Sequence, residues 1–513
     1  MRPLLEPLVR LLCALVAVAL VSASPAALQD DELVAEFKRY FRKYKDTPTR
    51  VEAVLSLQGT ESGDVVGALA PLLSQSEPEV VQAVVRVLSG FKTRPPVDSL
   101  LAELGTSSDS SIRAGLLEAL SRGRYVNTQA GVLPCLQDSA WQVRRRAVQA
   151  LAAGADPTVA AALTPLCQET EVAVRCAALD ALGILHSELV LAPARADLAS
   201  PSWQVRSSAI AALGRVRHVD SIGPLIERMA LEEGRLVEDI GRALAEISGR
   251  DFGARLDAWQ QFWKSVQGRF QIPSDEELAK LRAVQAERKE KYNPPGSTSY
   301  LGIDTPSQSI VFVIDVSGSM EQEVVEKERY AGREYASWQR IEIVKDELLR
   351  TIRALDPAVQ FNVLAFATEV KSWKKAPVKA NPLNRSSAEN WISHLEAIGG
   401  ASKEDLARVG LTGSANLEAG KTNTYEALMT ALGVVDGDVE RGYKTNIDTI
   451  FFLSDGRPSH GKFVEPDDIL REVRAANELR RTVIHALAIG EFEKDFMRQL
   501  AEQNGGKFVD LGH

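Results

Sequence analysis

Four stretches in the first half of the chain recur at a constant step of 31 residues: Ile112–Leu120, Val143–Leu151, Val174–Leu182 and Val205–Leu213. Arg113, Arg144, Arg175 and Arg206 fall in register. So do Leu120, Leu151, Leu182, Leu213 and, one step on, Leu244, while Val81-Gln82-Ala83 keeps the same step upstream. A fixed period of about 20–50 residues marks a solenoid. Within a unit, Val143, Ala147, Val148 and Leu151 stand at i, i+4, i+5 and i+8, which is one face of a helix. Pro71, Pro134, Pro165, Pro193 and Pro224 open a second run in each unit. Proline suits a first helical turn, where its missing N–H has no partner anyway. Each unit therefore reads as two helices that cannot bury their apolar faces alone, and stacking the units makes the core continuous.

The run from Asp138 through Arg144 to Leu151, and that from Ser202 through Arg206 to Gly214, resembles HEAT repeats in their short, PBS-lyase-like form, over about residues 47–250. The resemblance implies an all-α HEAT-like solenoid with an Asp/Arg ladder between neighbouring units and an extended surface for a protein partner. The arginine column could also be read as an anion-binding stripe. Asp109 and Asp138, ahead of two of the arginines, favour charges that satisfy helix ends instead. Residues 28–46 place Phe37, Tyr40, Phe41 and Tyr44 at helical spacing and read as a cap on the array, and Trp259, Phe262 and Trp263 read as its far closure. The helical region is accordingly set at 28–270. A charged helix from about Ser274 to Lys291 and the turn-forming Pro294-Pro295-Gly296-Ser297 make 271–306 a connecting segment.

From Gln308 the pattern changes. The apolar strand Gln308–Ile314 runs straight into DVSGSM at Asp315–Met320. Further strands are expected at Phe361–Phe366, Thr449–Leu453, Val483–Ile489 and Lys507–Val509. Helices are expected at Arg340–Leu355, Thr424–Leu432, Asp467–Leu479 and Lys494–Gln503. Apolar strands alternating with helices predict an α/β domain with a mostly parallel, doubly wound sheet, whose ligands bind beyond the carboxyl ends of the strands. DVSGSM, GKTNTYEAL and FFLSDGRPSHG, in that order on such elements, resemble the von Willebrand factor A family over residues 307–513.

The resemblance implies a Rossmann-like fold and a metal-ion-dependent adhesion site. Ser317 and Ser319 would ligate directly, Thr422 in the ligand-bound state, and Asp315 and Asp455 largely through water. The expected ion is Mg²⁺, with Ca²⁺ or Mn²⁺ as alternatives. Magnesium takes hard oxygens and gives up water reluctantly, and the absence of Cys and His from this five-residue cluster argues against zinc, copper and iron. Only two carboxylates face the ion, so in this family an acidic side chain of a partner protein completes its coordination. The bland alternative is that the serines only cap a helix. Two inserts, Glu321–Ser337 and Gly399–Gly420, should lie on the metal-bearing face.

The remaining features bound the function. Arg2 and Arg10 flank the start of an eleven-residue apolar run, Leu11–Val21, followed by Ser22 and Ala23. The run is shorter than the roughly 20 residues a membrane span needs, so 1–23 reads as a removable export signal, with no integral span thereafter and a periplasmic or secreted destination. An uncleaved anchor is the alternative. Cys135, Cys167 and Cys176 are an odd set without zinc spacing and read as buried small hydrophobes. A net charge of −9 gives no reason to expect nucleic acid. Ala415–Thr422 fits a loose phosphate-loop pattern, which makes an NTPase the rival reading, but residues 402–419 carry no strand to aim such a loop. His394, His460 and His485 are scattered, without a partnered nucleophile nearby. The expectation is an exported, non-enzymatic binding or scaffold protein, with an assembly factor for an ATPase complex as the alternative.

Overall fold

The computed structural model describes residues 25–289, 298–300, 303–305, 307–325, 327, 335, 337–398, 420–433, 447–455, 457–490 and 494–511. The expected export signal, most of the second insert, the loop Ala415–Ala419 and part of the first insert lie outside these. Two compact units are present, Met1–Leu189 and Val190–His513.

In the first unit the recurring segments are the helices α1 (Pro78–Leu88), α2 (Ser110–Gly123), α3 (Trp141–Ala153) and α4 (Val172–Ile184). The Asp109 carboxylate caps α2 by accepting from the backbone N–H groups of Ser111 and Ile112, at 2.7 and 3.4 Å. Leu120, Leu151 and Leu182 are buried. The expected ladder is present, and its acids come from the following unit. Arg113 Nε donates to Asp138 Oδ2 at 2.7 Å and Nη1 to the Ser107 carbonyl at 3.1 Å. Arg144 repeats both bonds, to Glu169 at 3.0 Å and to the Asp138 carbonyl at 2.9 Å. Each arginine thus closes its own loop and ties the next repeat. Cys135, Cys167 and Cys176 are buried thiols.

The prolines differ from expectation. Pro71, Pro134 and Pro165 end the first helix of their units rather than open one: each is the second residue of a 3₁₀ turn that continues a short α-helix. The missing N–H breaks the i→i−4 ladder at that residue, and the chain tightens into i→i+3 bonds. Pro193 and Pro224 sit in the first turns of Leu191–Asp197 and Ile222–Met229, as expected.

The second unit begins with the same motif. Helices α5 (Trp203–Val216) and α6 (Arg235–Ser248) carry buried Leu213 and Leu244, and Arg206 Nε donates to Glu232 at 2.5 Å. Trp259 in Leu256–Val266 is fully buried, and its Nε1 donates to the Gly253 carbonyl at 2.9 Å. The charged helix runs Asp275–Lys289.

Among the described residues the sheet of this unit has seven strands: β1 (Ser309–Asp315), β2 (Gln360–Phe366), β3 (Val370–Ser372), β4 (Val378–Lys379), β5 (Thr449–Ser454), β6 (Val483–Ala488) and β7 (Phe508–Asp510). The order is β3-β2-β1-β5-β6-β7, with β4 also on β2. The pairs from β2 through β7 across β1 are parallel, and β3 and β4 are antiparallel edge strands. Every residue of β1 is buried because helices cover both faces. Ile310, Phe312 and Ile314 pack under α7 (Arg340–Ala354) and α8 (Pro382–Ser393). Val311 and Val313 pack under α9 (Thr424–Ala431), α10 (Pro466–Arg480) and α11 (Lys494–Gln503). Among the described residues no helix is long and apolar enough to cross a membrane.

His485 of β6 is built into this core as a neutral ring. It stacks on Phe451 at 4.8 Å, and its Nδ1 accepts from the Lys507 N–H at 3.0 Å. Burial, then the charge of Lys507, depress its pKa to about 4. The stability this preference contributes is present above the unfolded value near 6.5 and is lost as pH falls toward 4. Urea melts should show a loss on the order of 3 kcal/mol over that window, with a shallower slope in His485→Gln.

Candidate metal centre

In the sheet, β2 joins one flank of β1 and β5 the other, so the strand order reverses at β1 and leaves a crevice at its carboxyl end. β1 ends on Asp315 and β5 on Ser454, each one residue past the paired Ile314 and Leu453. Asp315 is fully buried and accepts on both oxygens, from the Ser317 N–H at 2.8 Å and from the Ser454 hydroxyl. The first bond bends the chain into the DVSGSM turn and the second ties the turn to β5. The turn is anchored again by Val316 N–H on the Phe366 carbonyl and by Ile398 N–H on the Val316 carbonyl, both at 2.8 Å. Ser317 and Ser319 then present their hydroxyl oxygens 3.2 Å apart, and Ser319 Oγ donates to Asp455 Oδ1 at 2.7 Å.

Thr422 arrives from another direction. Asn423 N–H bonds the Ala367 carbonyl just past β2, at 2.9 Å, and the Asn423 side chain caps α9 by accepting from Glu426 N–H at 3.2 Å. The loop after β5 holds Thr422 on both backbone groups: its N–H donates to Ser459 Oγ and its carbonyl accepts from Ser459 N–H, each at 3.0 Å. Gly318 N–H reaches the Gly420 carbonyl at 3.3 Å and joins this loop to the DVSGSM turn. All five sequence-named residues thus meet at one mouth. Ser319, Thr422 and Asp455 line a single cavity of about 600 Å³, walled on the insert side by Gln322, Glu323 and Val325. That first stretch of insert is ordered by Val324 N–H on the Trp338 carbonyl and Arg340 N–H on the Gln322 carbonyl, at 3.0 and 2.9 Å.

The residues fit a hard divalent cation. Two oxygens on one octahedral ion with bonds of 2.0–2.1 Å stand about 2.9 Å apart, close to the serine spacing. The electrostatics point the same way. Burial, then the neighbouring Asp455, push the Asp315 carboxyl up to about 7, and burial raises Asp455 as well, against the bonds it receives from Ser319 and Arg340. Two carboxylates held out of water are costly to ionise and call for positive charge between them. Helix capping does not account for the serines: Ser317 is followed by a four-residue 3₁₀ turn, Gly318–Glu321, with no cap bond from its side chain.

Sequence reading missed Arg340, Ser454, Ser459 and Gly461. Arg340 Nη1 donates to Asp455 Oδ2 at 2.7 Å, both side chains being buried. One signal was available: Arg340 is the first residue of α7, where a cation opposes the helix dipole and so needs a nearby anion.

The chain carries HEAT repeats and a von Willebrand factor type A domain. The family model for HEAT repeats matches residues 38–121 and 130–196, and that for the von Willebrand factor type A domain matches 333–510. The second match starts after DVSGSM, which the sheet itself places in the domain, since β1 is a central strand. Over 208 residues the chain is 27% identical to human inter-alpha-trypsin inhibitor heavy chain H4, covering 40% of this chain and 18% of that one. It is 27% identical to heavy chain H1 of Mesocricetus auratus over 202 residues, covering 39% and 18%. The chain therefore spans under a fifth of the length of these curated relatives. Among solved structures, a von Willebrand factor type A protein from Catenulispora acidiphila matches at 17% identity and TM-score 0.28, covering 40% of this chain and 39% of that one. The complex of CpcE and CpcF of phycocyanin lyase from Nostoc sp. PCC7120 matches at 16% identity and TM-score 0.28, covering 46% and 94%. A domain of this kind on a repeat array is a protein-interaction or scaffold architecture.

Proposed function

We propose that this is an exported, non-enzymatic adhesion or scaffold protein that grips an acidic side chain of a protein partner through a Mg²⁺ ion. Ser317, Ser319 and Thr422 would hold the ion through hydroxyls, and Asp315 and Asp455 through water, with Ca²⁺ or Mn²⁺ able to replace it. The ion supplies an electrophilic centre with a coordination position that a partner carboxylate can take. The helical array offers a second docking surface, with its ladder arginines turned to its own repeats. The observation that carries this reading is the convergence of Ser319, Thr422 and Asp455, from three separate chain segments, on one cavity, with Ser317 bonded to Ser319 and the buried Asp315 bonded to Ser317 directly behind them. None of the family relatives' partners is needed for it.

The phosphate-loop alternative makes a different demand on Lys421, whose backbone N–H donates to Thr368 Oγ1 at 3.2 Å. A phosphate loop keeps such N–H groups for the ligand. Titration of the full chain with Mn²⁺ and with ATP separates the readings. One Mn²⁺ per chain, unaffected by Lys421→Ala, and no nucleotide binding are expected. Tight ATP binding that disappears in Lys421→Ala would sink the adhesion reading.

A further inference from the structure

Asp455 is shared between two kinds of donor. Its Oδ1 receives the Ser319 hydroxyl at 2.7 Å, and its Oδ2 receives Arg340 Nη1, also at 2.7 Å. The side chains of Arg340 and Asp455 are 9% and 0% exposed, so the pair is shielded from water. The guanidinium is also boxed in. A Cβ on Gly490 would lie 2.8 Å from its Cζ, so this glycine leaves it just enough room. Arg340 Nη1 stands 3.5 Å from the Ser319 carbonyl, and Nε is buried with no hydrogen-bond partner. A permanent positive charge is therefore fixed on the carboxylate that a metal at this site would also use, on the wall of the same cavity.

We propose that Arg340 is the second cation of the site: it competes with the metal for Asp455 and, beside the bound metal, turns the mouth into a two-cation receptor for one partner carboxylate. This rests on the metal-dependent reading above. Arg457 and Glu323 line the same cavity and offset each other, so a dication and the Arg340 guanidinium against the carboxylates of Asp315 and Asp455 leave one positive charge, which an aspartate or glutamate side chain cancels and an amide does not. Burial makes that imbalance count, because charges shielded from water interact far more strongly than exposed ones. Neutralising Arg340 should therefore act in opposite directions on the two ligands, tightening the metal and loosening the carboxylate. A residue that merely supported the fold would weaken both.

The probes are Mn²⁺, followed by electron paramagnetic resonance, and acetate, followed by its displacement of Mn²⁺-bound water in proton relaxation, both on the full chain. Arg340→Gln should bind Mn²⁺ about tenfold more tightly and need about tenfold more acetate, while Arg340→Lys, which keeps the charge, stays near wild type. Unchanged or weaker Mn²⁺ binding in Arg340→Gln overturns the proposal. So does an unchanged acetate requirement. A measurement on the wild type covers the case in which Arg340→Gln does not fold: the guanidinium resonance of Arg340 in ¹⁵N-arginine protein must shift on adding Mg²⁺ and again on adding acetate, and a resonance indifferent to both refutes the role. Wild type that binds no Mn²⁺ beside an Arg340→Gln that does would support the competition and sink the metal-dependent function. Wild type that binds with Arg340→Gln no tighter does the reverse.

Discussion

Replacing Asp315 by alanine should weaken divalent-cation binding by about 100-fold or more while leaving the domain folded. Asp315 organises the site twice over, by accepting the Ser317 N–H that bends the DVSGSM turn and the Ser454 hydroxyl that joins β1 to β5. Alanine removes both acceptors and one of the two buried charges that attract a cation. Groups that orient ligands from behind typically cost 10–100-fold in metal affinity, and loss of the charge adds to this, so a fall of about 100-fold or more is expected for Asp315→Ala. Asp315→Asn keeps the shape and one carbonyl acceptor and should fall about tenfold to 100-fold. The fold should survive because burial makes an ionised carboxylate unfavourable in this position, which offsets part of the cost of leaving the Ser317 N–H and the Ser454 hydroxyl without their acceptor. Calorimetric titration with Mn²⁺ reads the affinity. Thermal melts give an independent reading: Mg²⁺ at about 100 times its dissociation constant should stabilise the wild type by about 2.7 kcal/mol and the alanine variant by about 0.4 kcal/mol or less. An Asp315→Ala protein that still binds Mn²⁺ like the wild type would remove the site from the account.

What the sequence made legible follows from where information is local. β1 could be read residue by residue because a strand buried on both faces is a continuous apolar run, and the observed Ser309–Asp315 lies within one residue of that run. The helix Lys494–Gln503 was delimited as it stands. The five polar positions of the mouth were named from the resemblance of DVSGSM, GKTNTYEAL and FFLSDGRPSHG to the von Willebrand factor A family, and each lies at or within a few residues of the end of a strand or helix. The edge strands β3 and β4 were not, since three and two residues of half-exposed backbone carry no period. Ser459 holds Thr422 from 37 residues along the chain through its hydroxyl and its backbone N–H, and Gly461 faces the Asn423 side chain, contacts that no spacing encodes. The repeat ladder lies between these cases. Its arginines keep the period, but their acids alternate between Asp138, Glu169 and Glu232 at offsets of 25, 25 and 26 residues, so the pairing becomes visible only when the units stack. The prolines failed for a different reason: proline fixes φ and deletes an N–H, which suits a helix start and a tightening 3₁₀ end alike, and only the stacking of the next helix decides between them.

Gly461→Ala should destabilise the domain by about 3 kcal/mol and weaken the metal site with it, from a position that contributes no ligand. Gly461 has φ +108°, a conformation L side chains rarely adopt, and a Cβ there would come 2.1 Å from Asn423 Oδ1. The first effect is backbone strain of about 1–3 kcal/mol. The second is eviction of the Asn423 side chain, which caps α9 through Glu426 N–H, and loss of such a cap costs about 1 kcal/mol. The two effects separate in a double-mutant cycle with Asn423→Ala: the strain is common to both backgrounds, but the clash is not, so Gly461→Ala should cost less once Asn423 is gone. The functional consequence runs through the same contact. Asn423 adjoins Thr422, and the loop that carries Gly461 holds Thr422 on both its backbone groups through Ser459. Shifting that loop moves the one hydroxyl that approaches from outside the DVSGSM turn, so Mn²⁺ affinity should fall about tenfold in the surviving folded protein, as it does when an orienting group is lost. Urea denaturation and Mn²⁺ titration on the four proteins of the cycle check both parts. A Gly461→Ala protein with wild-type stability and wild-type Mn²⁺ affinity would mean that the loop after β5 does not position Thr422, and that the mouth of the sheet is assembled by the DVSGSM turn alone.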